Sequence, residues 1–244
     1  MNDQARMLGM KSTTYKNPDG QTETGHTTTA RDLGLLATRL LRDYPEYVSY
    51  YAIKKYRYEG TPAANDTNRN LLLFRDPSVD GLKTGHTQAA GYCLVATARR
   101  DFPNVGARRL LSVVLGADSE NARANESQKL LNWGYTAFDA VKLFEAGQPV
   151  ISAPVWKGTD SQLKLGSPFS LVIAVPSGSA AQLKTQVLRP DPLVAPFAKG
   201  QSVGTLRVSR GEVPLLDVPL QVLQPVDEAG VLGRAWDAIR LWIR

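Results

Sequence analysis

The sequence is short of the residues that build disulfides and metal sites, with one cysteine and two histidines among 244 residues. Cys93 has no partner for an internal disulfide. Its place in an apolar run predicts a small buried side chain rather than a nucleophile. Two histidines and one cysteine are too few for a convincing zinc site.

Long apolar runs are also absent, so the sequence predicts no bilayer-spanning segment. Met1 is not followed by the charged start and apolar stretch of a signal peptide. The net charge of +6 is modest, and the basic residues are scattered instead of clustering with aromatics, which argues against a nucleic-acid partner. A basic balance suits a protein that lies on an anionic membrane surface or binds carboxylate substrates.

The most informative stretch is 79–87, Val-Asp-Gly-Leu-Lys-Thr-Gly-His-Thr, which is followed by the apolar run 91–98. This pattern predicts a strand that lines a cleft. Lys83 would supply positive charge, Thr84 a hydroxyl donor, and Gly85 would let a ligand lie against the strand edge because it has no Cβ. These parts suit an acyl donor that bears a carboxylate. The tripeptide alone fits a solvated hairpin lysine at least as well.

The segments around this motif follow a recognisable order. Residues 68–72 read Asn-Arg-Asn-Leu-Leu, 111–117 read Leu-Ser-Val-Val-Leu-Gly-Ala, and 126–134 read Glu-Ser-Gln-Lys-Leu-Leu-Asn-Trp-Gly. In order and spacing the whole chain resembles the S11 peptidases, the serine D-alanyl-D-alanine carboxypeptidases among the low-molecular-mass penicillin-binding proteins. The resemblance implies an α+β fold. It consists of the C-terminal part of a β-lactamase/transpeptidase-like domain, a small all-β sandwich domain and a C-terminal amphipathic helix.

Patterning predicts the elements of the first part. A helix over 29–43 has Thr29 as its cap and apolar residues at core spacing. The tyrosine-rich stretch 50–58 and residues 71–74 are predicted as strands. Strands at 91–98 and 110–117 are expected to flank a basic loop with Arg99, Arg100, Arg108 and Arg109. A helix over 120–138 follows, with packing residues Leu130, Leu131, Trp133, Tyr135 and Phe138.

The composition shifts after Val141 to short strands broken by glycine and proline, which predicts a small β domain. The predicted strands are 150–156, 163–165, 170–175, 184–188, 202–208 and 213–224. We therefore expect domains at 1–143 and 144–226, followed by a helix over 227–244. On that helix, Leu232, Trp236, Ile239 and Ile243 share one face. Such a helix suits the membrane interface, although docking on its own β domain is the alternative.

Two further residues near the motif are candidates for binding. Arg69 is either an ordinary surface arginine or a planar, permanently charged group that receives the substrate's carboxylate. The resemblance favours the second role, since it places this arginine near the Lys-Thr-Gly strand. His86 either tunes the motif or is a solvated turn residue. The predicted site is therefore Lys83 as the catalytic group, with Lys83, Thr84, Gly85, His86 and Arg69 binding substrate.

The family's nucleophile is not found where the resemblance would place it. Acyl transfer needs a serine with a lysine one helical turn later, and a Ser-x-Asn loop, both before Lys83. Neither occurs there. Ser161-Gln162-Leu163-Lys164 and Ser119-Glu120-Asn121 come later, and we interpret both as coincidences. The chain therefore looks like the later part of a longer protein, inactive on its own.

The resemblance implies a D-alanyl-D-alanine carboxypeptidase that acts on peptidoglycan pentapeptides through a serine acyl-enzyme and is inhibited by β-lactams, without metal or cofactor. It implies a periplasmic protein on the outer face of the inner membrane, attached through residues 228–244. The alternative is a non-catalytic scaffold that binds peptidoglycan or the membrane.

Overall fold

The computed structural model of the chain describes residues 1–243 and divides the chain into two compact units, Met1–Ala137 and Phe138–Arg244. Helices and antiparallel sheet occur together, which confirms the predicted α+β class. Arg244, the last residue of the helix predicted over 227–244, lies outside the described residues.

The first unit consists of five α-helices and a three-stranded antiparallel sheet in the order β1-β2-β3. The strands are β1 (Val79–Thr87), β2 (Gly91–Phe102) and β3 (Gly106–Ala117). The α-helices are α1 (Asn2–Met7), α2 (Ala30–Asp43), α3 (Val48–Tyr51), α4 (Leu72–Arg75) and α5 (Glu120–Ala137). Short 3₁₀ turns occur at Pro45–Tyr47 and Ala63–Asn65.

Helix α2 begins where its sequence predicts. The Thr29 hydroxyl accepts a hydrogen bond from the Asp32 backbone N–H at 3.2 Å, which satisfies one of the free donors at the helix start. Helix α5 packs on β2 and β3, and Leu131 and Tyr135 bury their side chains against the sheet. The Tyr135 hydroxyl donates to the carbonyl of Ala98 at 2.8 Å, so this buried polar atom is satisfied.

The predicted strands at 50–58 and 71–74 are wrong. Residues 48–51 form α3, and the chain then runs irregularly to 68 with only an isolated bridge between Lys55 and Thr67. The tyrosines that gave the strand-like pattern point largely into solvent instead of onto a core. Residues 72–75 form a single helical turn, started by the Asn70 side-chain carbonyl, which accepts from the Leu72 N–H at 3.1 Å.

The predicted basic loop is wrong as well, because its four arginines lie within the paired strands β2 and β3. Arg99 pairs with Arg109 and Arg100 with Arg108, and the turn is confined to residues 103–105. Contacts with other residues stabilise these paired arginines. Arg100 donates to the Asp76 carboxylate, and the Arg108 guanidinium lies over the Phe102 ring.

Some predicted burial was also wrong. Leu131 and Tyr135 are buried, but Leu130 and Trp133 are exposed on the outer side of α5. Cys93 is only half-buried. Leu130 and Trp133 lie out of phase with the buried stripe of α5, so proximity in sequence to core residues does not bury them.

The second unit is an all-β arrangement followed by one helix. A six-stranded sheet has the order β8-β10-β11-β6-β5-β9, and β4 pairs with β7 in a separate two-stranded sheet. The strands are β4 (Phe138–Phe144), β5 (Pro149–Trp156), β6 (Gln162–Gly166), β7 (Leu171–Pro176), β8 (Leu183–Leu188), β9 (Leu193–Val194), β10 (Ser202–Arg210) and β11 (Val213–Val222). Inward-facing residues such as Leu163, Leu165, Leu206, Val208 and Leu220 form its core. The six predicted strands all occur; β4 and β9 were not predicted.

The last helix, α6 (Val231–Ile243), buries none of its residues. It is attached to its own unit by polar contacts: Asp237 Oδ2 accepts from the Lys157 N–H at 2.7 Å, and the Arg240 guanidinium lies 5.5 Å from the centroid of the Trp156 ring. Its large apolar side chains point outward, and Leu232 and Trp242 are both 88% exposed. Within residues 1–243, every helix is too short or too polar to cross a bilayer.

Candidate functional site

The Lys-Thr-Gly motif lies in β1, at the edge of the three-stranded sheet. Lys83 pairs with Val95, Thr84 with Leu94 and Gly85 with Cys93 of β2. In the part of the chain that the structure describes, no strand pairs with the other side of β1. That edge forms no ladder with another described strand, although the carbonyls of Gly81 and Gly85 accept from Asn70 and Arg123, so an extended ligand would use the remaining backbone groups.

Lys83 sits among positive charges. Its ammonium donates to the carbonyl of Thr84. Partial burial, and then the charges of Arg123 and Arg69, hold the pKa of Lys83 below its usual range. Lys83, Arg69 and Arg123 form a cluster of three cations, and among residues 1–243 no carboxylate is a partner of the Lys83 ammonium. This arrangement favours an anionic ligand beside Lys83.

Gly85 is not required by packing within the protein. A Cβ built at this position would meet only the Cys93 Cβ, at 3.9 Å, which is ordinary van der Waals contact. Its backbone is also outside the left-handed region. The space beside Gly85 is therefore open, as expected for a strand edge against which a ligand lies.

Arg123 is a site residue that the sequence pattern did not reveal. It is 2% exposed, and its guanidinium donates to the carbonyls of Gly85 at 3.2 Å and Arg69 at 3.0 Å. The same group bonds Glu120 Oε1 at 3.2 Å. Arg123 thus joins α5, the motif strand and the Asn-Arg-Asn segment. The available signal was its phase, since Arg123 lies at intervals of four from the buried Ser127 and Leu131.

The Asn-Arg-Asn segment, residues 68–70, holds the region around Arg69 by its two asparagines. Asn70 is buried, and its amide donates to the Gly81 carbonyl of β1 at 2.9 Å. Asn68 donates to the carbonyls of Tyr51 and Ile53, and its own oxygen accepts from the Asn70 N–H. Arg69 itself is exposed, with one guanidinium nitrogen 3.0 Å from Asn65 Oδ1. The segment therefore fixes the backbone of Arg69 and leaves its side chain open to solvent.

A second arginine holds the start of β1. Arg109 makes two hydrogen bonds to the carboxylate of Asp80, both of 2.7 Å, and a third to the Thr97 hydroxyl at 2.8 Å. The two-pronged geometry restricts the orientation of both side chains. Because Asp80 lies three residues before Lys83, this pair helps to fix the strand that carries the motif.

His86 stacks on Tyr92 of the neighbouring strand, with ring centroids 3.9 Å apart. The Arg123 guanidinium lies 5.5 Å from the centroid of the same Tyr92 ring. Thus Lys83, Thr84, Gly85 and His86 lie consecutively on one strand, and Arg69 is brought to them through Arg123. A role for His86 in binding stays a prediction.

The two later serine motifs are not arranged as nucleophiles. The Ser119 hydroxyl accepts from the Ala122 N–H at 3.1 Å at the start of α5, as a helix cap does. Ser161 lies in the turn between β5 and β6, and Lys164 is exposed on β6. Among residues 1–243, we find no group of three or more His, Cys, Asp or Glu side chains placed to hold a metal ion.

Comparison with known proteins places this geometry in a family. The model of the peptidase S11 family, D-alanyl-D-alanine carboxypeptidase, matches residues 1–119, and that of the penicillin-binding protein 5 C-terminal domain matches residues 138–228. Residues 1–119 belong to the peptidase S11 family. D-alanyl-D-alanine carboxypeptidase DacC of Escherichia coli (strain K12), an S11 relative, is 37% identical over 243 residues, which is 99% of this chain and 59% of the relative.

Other S11 members agree in sequence and structure. DacA of Haemophilus influenzae is 34% identical over the full chain and 61% of its own length. The crystal structure of penicillin-binding protein 5 from Haemophilus influenzae superposes with a TM-score of 0.75 at 34% identity, covering 93% of this chain and 64% of that one. The chain thus spans about 60% of the length of the curated S11 relatives named here.

Proposed function

We propose that this chain provides the carboxylate-binding half of a serine D-alanyl-D-alanine carboxypeptidase that acts on peptidoglycan pentapeptides. The observation that carries the proposal is the edge strand with Lys83, Thr84 and Gly85, whose ammonium lies close to the charges of Arg69 and Arg123. The names of the S11 relatives give the reaction class.

In the proposed complex, the terminal D-alanine of the substrate lies along β1. Its carboxylate accepts hydrogen bonds from Lys83 and the Thr84 hydroxyl, and Arg69 adds a permanent positive charge. Gly85 leaves room for the peptide beside the strand. Arg123 does not bind the substrate in this arrangement, because its side chain is buried and donates to Gly85, Arg69 and Glu120. It positions the strand instead.

The chemistry follows from that placement. A serine hydroxyl attacks the carbonyl between the two D-alanines, the terminal D-alanine leaves as the free amino acid, and water hydrolyses the resulting ester. Positive charge at Lys83 stabilises the anionic substrate and the oxyanion that develops. No Ser-x-x-Lys precedes Lys83 in the 244 residues, so we assign the nucleophile to a serine outside them. β-Lactams would acylate the same serine.

We further propose that α6 lies on the outer face of the bacterial inner membrane, which would make the protein periplasmic and peripheral. The support is the orientation of the helix. Its Asp237 and Arg240 side chains contact Lys157 and Trp156, whereas Leu232, Trp236 and Trp242 point into solvent. An exposed apolar face with tryptophans suits the lipid headgroup region.

Two measurements on the 244-residue chain test the proposed function. Calorimetric titration with acetyl-D-Ala-D-Ala should give saturable binding that Lys83→Gln abolishes and that Lys129→Gln, on the exposed side of α5, leaves unchanged. Intact mass after incubation with benzylpenicillin should be unaltered. Lack of Lys83-dependent binding would contradict the carboxylate site, and an adduct on Ser161 or Ser119 would show a nucleophile within the chain.

A non-catalytic scaffold is the second candidate, favoured by the missing Ser-x-x-Lys motif. The two candidates differ when the chain is joined to the rest of its reading frame. A carboxypeptidase releases D-alanine from the pentapeptide, and this release is lost in Lys83→Gln. A scaffold binds the pentapeptide with the same Lys83 dependence but releases no D-alanine.

A further inference from the structure

A groove lined by tyrosines lies beside the Asn-Arg-Asn segment, on the irregular stretch 52–68. Its cavity volume is about 620 Å³. This falls within the range of roughly 300–1,000 Å³ found for small-molecule sites. The walls are formed by Tyr50, Tyr56 and Tyr58, and polar groups of Asn65, Asp66 and Asn68 lie among them.

The groove is held by a defined set of hydrogen bonds. The Tyr56 N–H donates to the Asp66 carbonyl at 2.9 Å, and the Asn68 N–H donates to the Lys54 carbonyl at 2.9 Å. The Asn68 amide bonds the carbonyls of Tyr51 and Ile53. Both sides of the groove are therefore tied together although the segment forms no regular sheet.

The tyrosine rings are unusually open. Tyr50, Tyr56 and Tyr58 are each 66% exposed. Three large rings exposed around one groove form the kind of apolar patch that marks a binding surface. Tyrosine combines a flat apolar face with a hydroxyl, which suits a ligand that is itself apolar on its faces and polar at its rim.

The charge of the groove narrows the ligand class. Its lining contains one carboxylate, Asp66, and Arg57 neutralises it with contacts of 3.0 and 3.2 Å. The remaining polar groups are amides and hydroxyls. A groove without net charge, with aromatic walls and amide groups, matches an uncharged saccharide, whereas a charged peptide would leave its charges unpaired.

The groove is linked to the carboxylate site by hydrogen bonds. Asn65, which lines the groove, accepts from the Arg69 guanidinium, and Asn68 connects through Asn70 to the Gly81 carbonyl of β1. From this link we propose that the groove binds the N-acetylhexosamine chain of peptidoglycan, near the site where the peptide carboxylate binds. The inference rests on the proposed function, since that function supplies the polymer.

The test is a titration of the 244-residue chain with triacetylchitotriose, and with maltotriose as a sugar of equal ring number without acetamido groups. We expect saturable binding of the first, with binding of the second weaker by about tenfold or more. Tyr56→Ala and Tyr58→Ala should each weaken binding of triacetylchitotriose by about tenfold, whereas Tyr56→Phe and Tyr58→Phe keep the ring face and stay within about threefold. Cooperative urea unfolding of each variant checks its fold.

Several results would overturn the inference: absence of saturable binding, equal binding of maltotriose, or alanine variants that bind like the parent. Concentration-dependent self-association that these alanine variants abolish would show that a second copy occupies the groove instead. Parallel titrations with acetyl-D-Ala-D-Ala separate the two proposals. If only the dipeptide binds, the groove inference fails alone; if only the saccharide binds, the proposed carboxylate site fails and the groove remains.

Discussion

The Nη1 atom of Arg123 donates to the carbonyl oxygen of Gly85 across 3.2 Å, so the motif strand is held by a buried cation on α5. A second nitrogen of the same guanidinium holds the carbonyl of Arg69. One side chain therefore sets the spacing between the two segments that carry the proposed carboxylate site.

Replacement of Arg123 by methionine should destabilise the first unit by about 2–4 kcal/mol, because a buried guanidinium that donates to two backbone carbonyls is lost. Arg123→Lys should recover only part of this loss, since lysine lacks the planar fork. Urea unfolding followed by circular dichroism measures the change. Lys129→Met on the exposed side of α5 is the control and should stay within about 0.5 kcal/mol. Equal stability of both variants would contradict the assigned role of Arg123.

The lowered pKa of Lys83 predicts a pH dependence of ligand binding. Only the protonated ammonium attracts a carboxylate, so affinity for acetyl-D-Ala-D-Ala should fall as pH rises through the lowered pKa, below the ordinary lysine value of about 10.4. Arg69→Gln removes one of the positive charges that lower the pKa of Lys83, so the loss of affinity should occur at higher pH. Arg42→Gln, on α2, should not. Titration of isotope-labelled lysine by NMR measures the pKa directly.

The same shift predicts a stability effect of defined sign. Between the lowered pKa in the folded state and the normal value in the unfolded state, the unfolded chain binds more protons at Lys83. The free energy of unfolding should therefore rise with pH between these two pKa values. Below both of them Lys83 is charged in both states, and the folded state carries the full destabilisation of the charged ammonium. Lys83→Met should remove this rise. Parallel pH profiles for the variant and the parent would contradict a lowered pKa of Lys83 in the folded state.

Short sequence patterns predicted much of the fold because helix caps and apolar spacing depend only on residues that are close in sequence. Thr29 and the apolar spacing that follows it define α2, and the apolar run after Gly91 defines β2. The stretch 50–58 failed because its tyrosines imitate a strand pattern while they line an exposed groove. Arg123 was missed because its partners, Gly85 and Arg69, are distant in sequence and only the fold brings them together.

The outward apolar face of α6 predicts binding to anionic lipid vesicles. Combined replacement of Trp236 and Trp242 by alanine should weaken vesicle association by about tenfold or more, since two large rings leave the headgroup region. Trp133→Ala is the control, because Trp133 is about as exposed as Trp236 but lies on α5 of the first unit. Co-sedimentation measures the effect. If the control and the double variant lose binding equally, α6 is not the contact surface.

Because the space beside Gly85 is open, a substitution there should change dipeptide affinity without lowering the stability of the fold. Gly85→Ala meets no clash and restricts the unfolded chain, so stability should rise by about 0.4–1 kcal/mol or stay unchanged. The added methyl group projects where the peptide is proposed to lie, so affinity for acetyl-D-Ala-D-Ala should fall by about tenfold. Gly166→Ala is the opposite control: its Cβ would overlap the Gln148 carbonyl, which should destabilise the second unit without changing dipeptide affinity. Dipeptide affinity unchanged in Gly85→Ala would mean that the ligand does not lie along β1, even if Lys83 still binds its carboxylate.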